Sequence, residues 1–354
     1  IGGDLRFENS TLKNPNDIAI LADTITVRGV ILLRKDFSAE GEVRFINASF
    51  SELDCHNARL ANEGVFHDIK QPPGALLTTK QVDLRLLLHK NLQLPKPDPQ
   101  LSTEIVSLLG KHAEEYGIAV LDLTDKHNPR YAVHRGDYRQ NVGSVGKLLV
   151  ALGFFQALAD TWPVGILGDN SERIGVLRNT IVTADKFSQH DHHKIRLFDP
   201  EKVQLTRRPM KIGDQASQWE YLDWMLSISS NAAAAMNQRQ AMLLKHYGTN
   251  FPPSDEEIER FFKQASSTYK TNLYQQTFWE PITRNGLDLE KIRQGSFFTH
   301  QGKKLVNGGG NSYATADQLM QLLLKMEKGE LVDEFSSRQL KRLLYLTERR
   351  IRYA

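Results

Sequence analysis

The chain has 354 residues, of which 40% are apolar and 25% are charged, and its formal net charge is +3. This composition is ordinary for a folded protein and excludes a wholly disordered chain. The small net charge, with both signs mixed along the sequence, argues against a nucleic-acid partner. Cys55 is the only cysteine, which excludes an internal disulfide and a zinc site built from cysteines. No apolar run reaches the ~18 residues that a bilayer span needs.

Residues 1–66 carry a short period. Apolar and small residues recur every five positions, in one series of Phe45, Phe50, Cys55 and Leu60 and a second of Ala48, Leu53 and Ala58. This period fits neither a helix nor a flat strand, but it fits a square parallel coil with one inward residue per side. The segment resembles pentapeptide-repeat and related right-handed β-solenoid sequences, with 27–33 as a further rung. A few β-hairpins of coincidental spacing are the alternative.

Residues 67–100 are predicted to be a proline-rich linker. Gln71-Pro72-Pro73-Gly74 breaks regular structure, and the run from Leu94 to Pro99 has a proline at every second position. Such a run is stiff and extended. Between these two signals, Val82–His89 is predicted to form a short apolar helix.

A second domain is predicted over residues 101–354. Ser102 begins a helix to about Tyr116, with Ile105, Leu108, Leu109 and His112 on one face. Residues 118–123 are predicted to form a buried strand, and residues 131–134 its antiparallel partner after a turn. The mixed, polar segment from 162 to 219 shows few clear helices.

Ser144 and Lys147 follow this hairpin at the mouth of an apolar helix. Residues i and i+3 share one helix face, so the lysine amine can reach the serine hydroxyl. The helix is apolar on nearly all sides and should be buried, which disfavours a charged lysine. A neutral lysine can take a proton from serine, and the helix N-terminus stabilises negative charge there. The alternative is an N-capping serine followed by a solvated lysine.

Ser229-Ser230-Asn231 begins an alanine-rich helix over 232–244. A serine hydroxyl and an asparagine amide two residues apart can both project from such a turn into one cleft. The alternative is a plain N-cap, supplied by Ser229 or Ser230. Further helices are predicted over 254–265, 315–328 and 336–345, and residues 307–311 are predicted to form a turn.

From about Ser102 onwards, the chain resembles the serine β-lactamase and penicillin-binding protein superfamily, most closely its class A branch. The matching segments are 131–147 with Ser-x-x-Lys, Ser229-Ser230-Asn231-Ala232-Ala233, and the helix pair over 314–340. The resemblance implies an α+β fold in which a helical subdomain packs on an antiparallel sheet. It also implies an acylated nucleophile at Ser144, with its backbone N–H in the oxyanion hole, and a base or proton shuttle at Lys147. Ser229 would relay a proton to the leaving group, and Asn231 would orient Lys147 or the substrate.

The sequence departs from that family at two elements. The Lys-Thr-Gly or Lys-Ser-Gly strand is not found, since Lys303-Lys304-Leu305 comes too early and lacks the glycine. We therefore expect the second domain to lack its last strands and the chain to be a fragment. A deacylating glutamate is matched loosely by Glu280, in 280–285, and a surface loop is the alternative reading of that segment.

No cofactor and no metal site is predicted. The segment from Asp185 to His193 contains His190, His192 and His193, but its spacing is more typical of a polar loop than of fixed metal ligands.

The leading hypothesis is a serine hydrolase that acts through an acyl-enzyme on an amide or ester, such as a β-lactam or a cell-wall peptide. The resemblance suggests a periplasmic or cell-envelope location and a small-molecule or peptidoglycan-like partner, with protein or cell-wall contact through the solenoid. The alternative is a non-catalytic binding module or scaffold that keeps the penicillin-binding fold.

Overall fold

The computed structural model describes residues 4–8, 10–21, 30–34, 37–44, 52–54, 59–60, 77–165, 168–199 and 204–346. The chain divides into two compact units, residues 1–70 and 71–354. The boundary lies within the predicted linker.

The first unit contains short parallel strands. They are β1 (Leu5–Glu8), β2 (Thr11–Leu21), β3 (Val30–Arg34), β4 (Ser38–Arg44), β5 (Glu52–Asp54) and β6 (Arg59–Leu60). Strands β1, β3 and β5 form one parallel sheet, and β2, β4 and β6 form another. Leu32, Leu33 and Phe37 are buried among them. Residues 45–50 and 55–58 of the predicted period lie outside the described residues, so the solenoid stays a prediction.

The second unit is mainly helical. Its helices are α1 (Pro99–Leu109), α2 (Lys147–Thr161), α3 (Ser171–Asn179), α4 (Gln218–Leu226), α5 (Asn231–Tyr247), α6 (Asp255–Gln264), α7 (Ser267–Phe278), α8 (Glu280–Arg284), α9 (His300–Leu305), α10 (Ala316–Glu327) and α11 (Glu334–Tyr345). Short 3₁₀ turns span Thr79–Gln81, Gly110–Glu115, Gly143–Gly146, Lys186–Ser188 and Gly248–Asn250.

The strands of this unit pair two by two among the described residues, always antiparallel. The pairs are β7 (Ile118–Asp122) with β8 (Arg130–His134), β9 (Ile181–Thr183) with β12 (Gln215–Ser217), β10 (Lys194–Asp199) with β11 (Gln204–Pro209), and β13 (Ile292–Arg293) with β14 (Tyr313–Ala314). The hairpin predicted before Ser144 is therefore confirmed, but its first strand, predicted to be buried, is half-buried, with Val120 exposed. The strands β9 to β12 lie in the polar segment from 162 to 219, in which the sequence showed few clear helices.

The core is built around α2 and α5, which pack against each other. Residues 149–158 of α2 are all buried, and so are Ala232 to Ala235 at the start of α5. At Gly153 a Cβ atom would lie 2.6 Å from the Phe278 ring of α7, so glycine permits this close approach. The 19 helical residues Gly143–Thr161 are long and apolar enough to span a membrane, contrary to the sequence expectation. They are mostly buried, as in the core helix of a globular protein.

The helices predicted after Ser229 are confirmed by their caps. Ser230, Ser254 and Thr315 each accept a hydrogen bond from the backbone N–H three residues later. Such side-chain caps satisfy N–H groups that the first turn of a helix leaves without partners. Helix α8 corrects the loop predicted over 280–285.

Two predictions before residue 116 are wrong. Burial alternates along the first of these segments: Val82, Leu84 and Leu86 are buried, whereas Asp83 and Arg85 are exposed. An extended segment and turns therefore replace the helix predicted over Val82–His89. The backbone N–H of Leu86 donates to the carbonyl of Glu327 on α10, so this part of the predicted linker belongs to the second unit. The second error concerns the helix predicted from Ser102: α1 begins at Pro99 under an Asp98 cap, and Leu108 is 86% exposed.

Candidate active site

Ser144 lies in the 3₁₀ turn Gly143–Gly146, and Lys147 is the first residue of α2. The turn starts at Gly143 with a φ of 49°, in the left-handed region that glycine adopts readily. At Gly146 a Cβ atom would lie 2.2 Å from Oε1 of Gln294, so only glycine fits without displacing that side chain. The turn presents Ser144 half-buried, whereas the Lys147 side chain enters the core and is only 2% exposed.

Ser229, Ser230 and Asn231 connect α4 to α5. Ser229 has a φ of 66°, a left-handed conformation that is uncommon for a residue with a side chain. Ser230 caps α5, with its Oγ accepting from the backbone N–H of Ala233 at 3.1 Å. Ser229 and Ser230 are buried, and Asn231 is half-buried. The turn therefore holds both of the predicted side chains, Ser229 and Asn231, at the N-terminus of a 17-residue helix.

The Nζ atom of Lys147 joins these two elements. It lies 3.0 Å from Oγ of Ser144, 2.8 Å from Oδ1 of Asn231, and 2.9 Å and 3.1 Å from the carbonyl and Oγ of Ser229. It also lies 4.7 Å from the centre of the Phe298 ring. The four residues predicted from the two motifs therefore meet around one nitrogen atom, and a solvated Lys147 is excluded by its burial.

The four oxygen atoms constrain how protons are distributed around Lys147. An ammonium group donates three hydrogen bonds and a neutral amine donates two. Asn231 Oδ1 and the Ser229 carbonyl can only accept, whereas the hydroxyls of Ser144 and Ser229 can also donate. An ammonium that donates to these two oxygens and to one serine hydroxyl satisfies this arrangement, and so does a neutral amine that donates to the two oxygens and accepts from a serine hydroxyl.

A cleft of about 430 Å³ opens beside Ser144. Its lining is Asn141, Gly143, Ser144, Asn231, Gln294, Ser296, Phe297, Phe298, Lys303, Gly310, Asn311 and Ser312. Among these described residues amides and hydroxyls predominate, Lys303 is the one cation, and there is no carboxylate. The cleft thus offers hydrogen-bonding groups to a polar ligand and favours a neutral or anionic one.

Gln294 is a cleft residue that the sequence motifs did not identify. Its side chain is 3% exposed, and its Nε2 donates to the Ser296 carbonyl at 2.6 Å. Its Oε1 has no hydrogen-bond partner among the described residues. A buried polar atom of this kind is uncommon, because it loses its hydration without replacement. A lone glutamine next to a glycine gives no sequence signal for such a position.

Glu280 lies outside the cleft. It is an exposed residue at the start of α8 and lines a separate depression with Gln275, Trp279 and Thr283. It is not among the described residues that line the cleft beside Ser144. A deacylating role for Glu280 therefore stays a prediction without support from its position.

The segment from Asp185 to His193, which the sequence analysis interpreted as a polar loop, contains a cluster of three possible metal ligands. Ligand atoms of Asp191, His192 and His193 lie within 4.8 Å of one another. Burial acts to raise the pKa of Asp191, but hydrogen bonds from the Ala232 N–H, His193 and Ser230 outweigh it and lower the pKa below its ordinary value. The Asp191 carboxylate is therefore charged at neutral pH, and its oxygens already accept hydrogen bonds where a metal ion would have to bind.

No protein-family model matches the chain, and no curated protein matches it. Solved structures with a similar course of the backbone include PBP-A, at 16% identity, and a PBP-A variant as an acyl-enzyme complex with penicillin G, at 17% identity. Each match covers 73% of both chains with a TM-score of 0.41. A β-lactamase from Sphaerobacter thermophilus is 10% identical over 70% of this chain and 71% of its own, with a TM-score of 0.42. Because these sequence identities and TM-scores are low, we infer the function from the residues of the cleft and not from the similar structures.

Proposed function

We propose that this protein is a serine hydrolase that acts through an acyl-enzyme on an amide or ester, with Ser144 as the nucleophile. The observation that carries the proposal is the 3.0 Å contact between Ser144 Oγ and the Nζ of Lys147, a lysine that is 2% exposed. A nucleophile and a base within hydrogen-bond reach, with the base oriented by further groups, are the signature of covalent catalysis. Here Ser229 and Asn231 orient the base.

In the first step the neutral Lys147 amine takes the hydroxyl proton of Ser144 while Oγ attacks the carbonyl carbon of the substrate. The negative charge that forms on the carbonyl oxygen is stabilised by the backbone N–H of Ser144 and by the N-terminal end of α2. When the carbon–leaving-group bond breaks, the proton returns from Lys147 to the leaving nitrogen or oxygen through Ser229 Oγ, which lies 3.1 Å from Nζ. Water then hydrolyses the ester on Ser144 and releases the acid.

The lining of the cleft supports a β-lactam or a cell-wall peptide as the substrate class. Asn141, Asn231, Gln294 and Asn311 contribute four amide side chains to the cleft wall, and amides pair well with the peptide groups of such substrates. Lys303 favours a substrate that carries a carboxylate.

We further propose that residues 101–354 have the serine β-lactamase and penicillin-binding fold and that residues 1–66 form a β-solenoid. The order hairpin, Ser-x-x-Lys helix and Ser-x-Asn helix supports the first assignment. The parallel pairing of alternate strands supports the second, because successive turns of a solenoid stack their strands in this way.

A fluorescent penicillin tests the proposed function. The wild-type protein should become covalently labelled, and peptide mass spectrometry should locate the adduct on Ser144. Ser144→Ala should abolish labelling, whereas Ser312→Ala, which changes another serine of the same cleft, should retain it. Labelling that persists in Ser144→Ala would refute the assignment, as would reversible binding of penicillin without any adduct.

A further inference from the structure

The carboxylate of Asp191 lies beneath the turn that carries Ser229 and Asn231. Its Oδ2 accepts from the Ser230 hydroxyl at 2.8 Å and from the backbone N–H of Ala232 at 2.9 Å. Its Oδ1 accepts from Nδ1 of His193 at 2.6 Å. The side chain of Asp191 is 2% exposed, so these hydrogen bonds replace the hydration that the charged group has lost.

The two groups bound by Oδ2 belong to Ser230 and Ala232, which flank Asn231, and Ser230 directly follows Ser229. One carboxylate oxygen therefore holds Ser230 and Ala232 on the two sides of a residue that contacts Lys147. A negative charge is also favourable at this point, because the N-terminal end of α5 carries the positive end of the helix dipole. Asp191 reaches the turn from another part of the chain, 39 residues before Ser230.

The conformation of Ser229 requires such support. Its φ of 66° is unfavourable for a residue with a Cβ atom, and strained residues persist only where their surroundings hold them. The carbonyl and the hydroxyl of Ser229 both reach Lys147 from this conformation. A turn that relaxed to an ordinary φ would redirect both groups.

We propose that Asp191 is a positioning residue for acylation: it clamps the 229–231 turn from a separate loop, so that Ser229 and Asn231 hold Lys147 against Ser144. This inference rests on the proposed function. Asp191 does not line the cleft, so it acts through the turn and not on the substrate.

Asp191→Ala should lower the limiting rate of acylation by fluorescent penicillin at least tenfold, because Lys147 loses its fixed orientation. The penicillin concentration at half the limiting rate should change less than about threefold, because the cleft is untouched. Asp191→Asn keeps one acceptor oxygen and should give an intermediate rate. Dialysis against EDTA should leave the wild-type rate unchanged, and a loss of activity that zinc restores would overturn the hydrogen-bonding role.

Asp185→Ala is the matched control. Asp185 lies on the same segment as Asp191, and its carboxylate pairs with Arg239 of α5 at 2.7 Å. Arg239 lies two turns further along α5 than Asn231. Its removal should lower thermal stability and leave the acylation rate within about twofold of wild type. Equal slowing of the Asp185→Ala and Asp191→Ala variants, or a wild-type rate in Asp191→Ala, would refute the proposal.

A crystal structure of Asp191→Ala gives a readout that does not depend on activity. We expect Ser229 to leave the left-handed region and the 2.8 Å contact between Lys147 and Asn231 to open beyond 3.5 Å. An unchanged turn would refute the clamp even if the wild-type protein did not react with penicillin. If penicillin does not label the wild-type protein but the turn opens in Asp191→Ala, only the proposed function would be refuted.

Discussion

Replacing Lys147 by methionine tests the role of its amine as a base while it preserves most of the packing of the side chain. Methionine keeps the length and most of the apolar volume of the buried stem but cannot take a proton from Ser144. General-base catalysis contributes about 10²- to 10⁴-fold to a rate, which corresponds to about 3–5 kcal/mol of activation free energy. We therefore expect Lys147→Met to slow acylation by a factor in that range.

The same substitution should change stability much less. The amine loses its contacts with Asn231 and Ser229, and each net hydrogen bond is worth about 0.5–1.5 kcal/mol. The cost of burying a polar amine disappears at the same time, which offsets part of this loss. The free energy of unfolding should fall by less than about 2 kcal/mol, so the variant should remain folded under the conditions of the assay.

Acylation is followed by stopped-flow fluorescence with a fluorescent penicillin, and intact-mass spectrometry counts the adducts. Lys303→Met is the matched control, because it removes an exposed lysine of the same cleft that does not contact Ser144. It should weaken binding of an anionic penicillin and leave the limiting acylation rate unchanged. A Lys147→Met variant that acylates at the wild-type rate would refute the assignment of Lys147 as the base.

Three further outcomes are expected. Gln294→Glu should speed release of the acyl group about tenfold or more, because a carboxylate near Ser144 can activate water. Glu280→Gln should leave the release rate unchanged. Mass spectrometry of the adduct lifetime measures both rates, and unchanged release in Gln294→Glu with altered release in Glu280→Gln would contradict the geometry of the cleft. Asp333→Ala should lower the free energy of unfolding, measured with urea, by about 3–5 kcal/mol, because it leaves Arg173 as an unpaired buried charge. Arg173 is 3% exposed and lies 2.5 Å from Asp333. A change below about 1 kcal/mol would contradict this role of Asp333 as the partner of a buried charge. Because the pKa of Asp191 is lowered in the folded state, its stabilising contribution is complete above the ordinary value of 3.8 and is lost as pH falls through the lowered pKa. Asp191→Asn should therefore lose less stability than the wild type as the pH falls through this range. An unchanged dependence of stability on pH would count against a charged Asp191.

The local sequence determined most helices and the two motifs that we propose to be catalytic. Ser230, Ser254 and Thr315 cap helices where the sequence predicts helix starts, because a cap depends only on residues within one turn. The spacing of Ser144 and Lys147 likewise fixes a contact within one turn. The pairing of these residues with Ser229 and Asn231 could be expected only from the order of the motifs, since their separation of more than 80 residues carries no geometric information by itself.

Only the tertiary structure decided what surrounds those motifs. Val82, Leu84 and Leu86 resembled a helix, but packing against α10 and α11 selects an extended segment, because tertiary contacts override weak local propensity. Gln294 and Asp191 carry no motif, and long-range folding alone brings one into the cleft and the other beneath the 229–231 turn. Local patterns therefore point to the proposed nucleophile and base, whereas the groups that orient them depend on where distant segments of the chain come together.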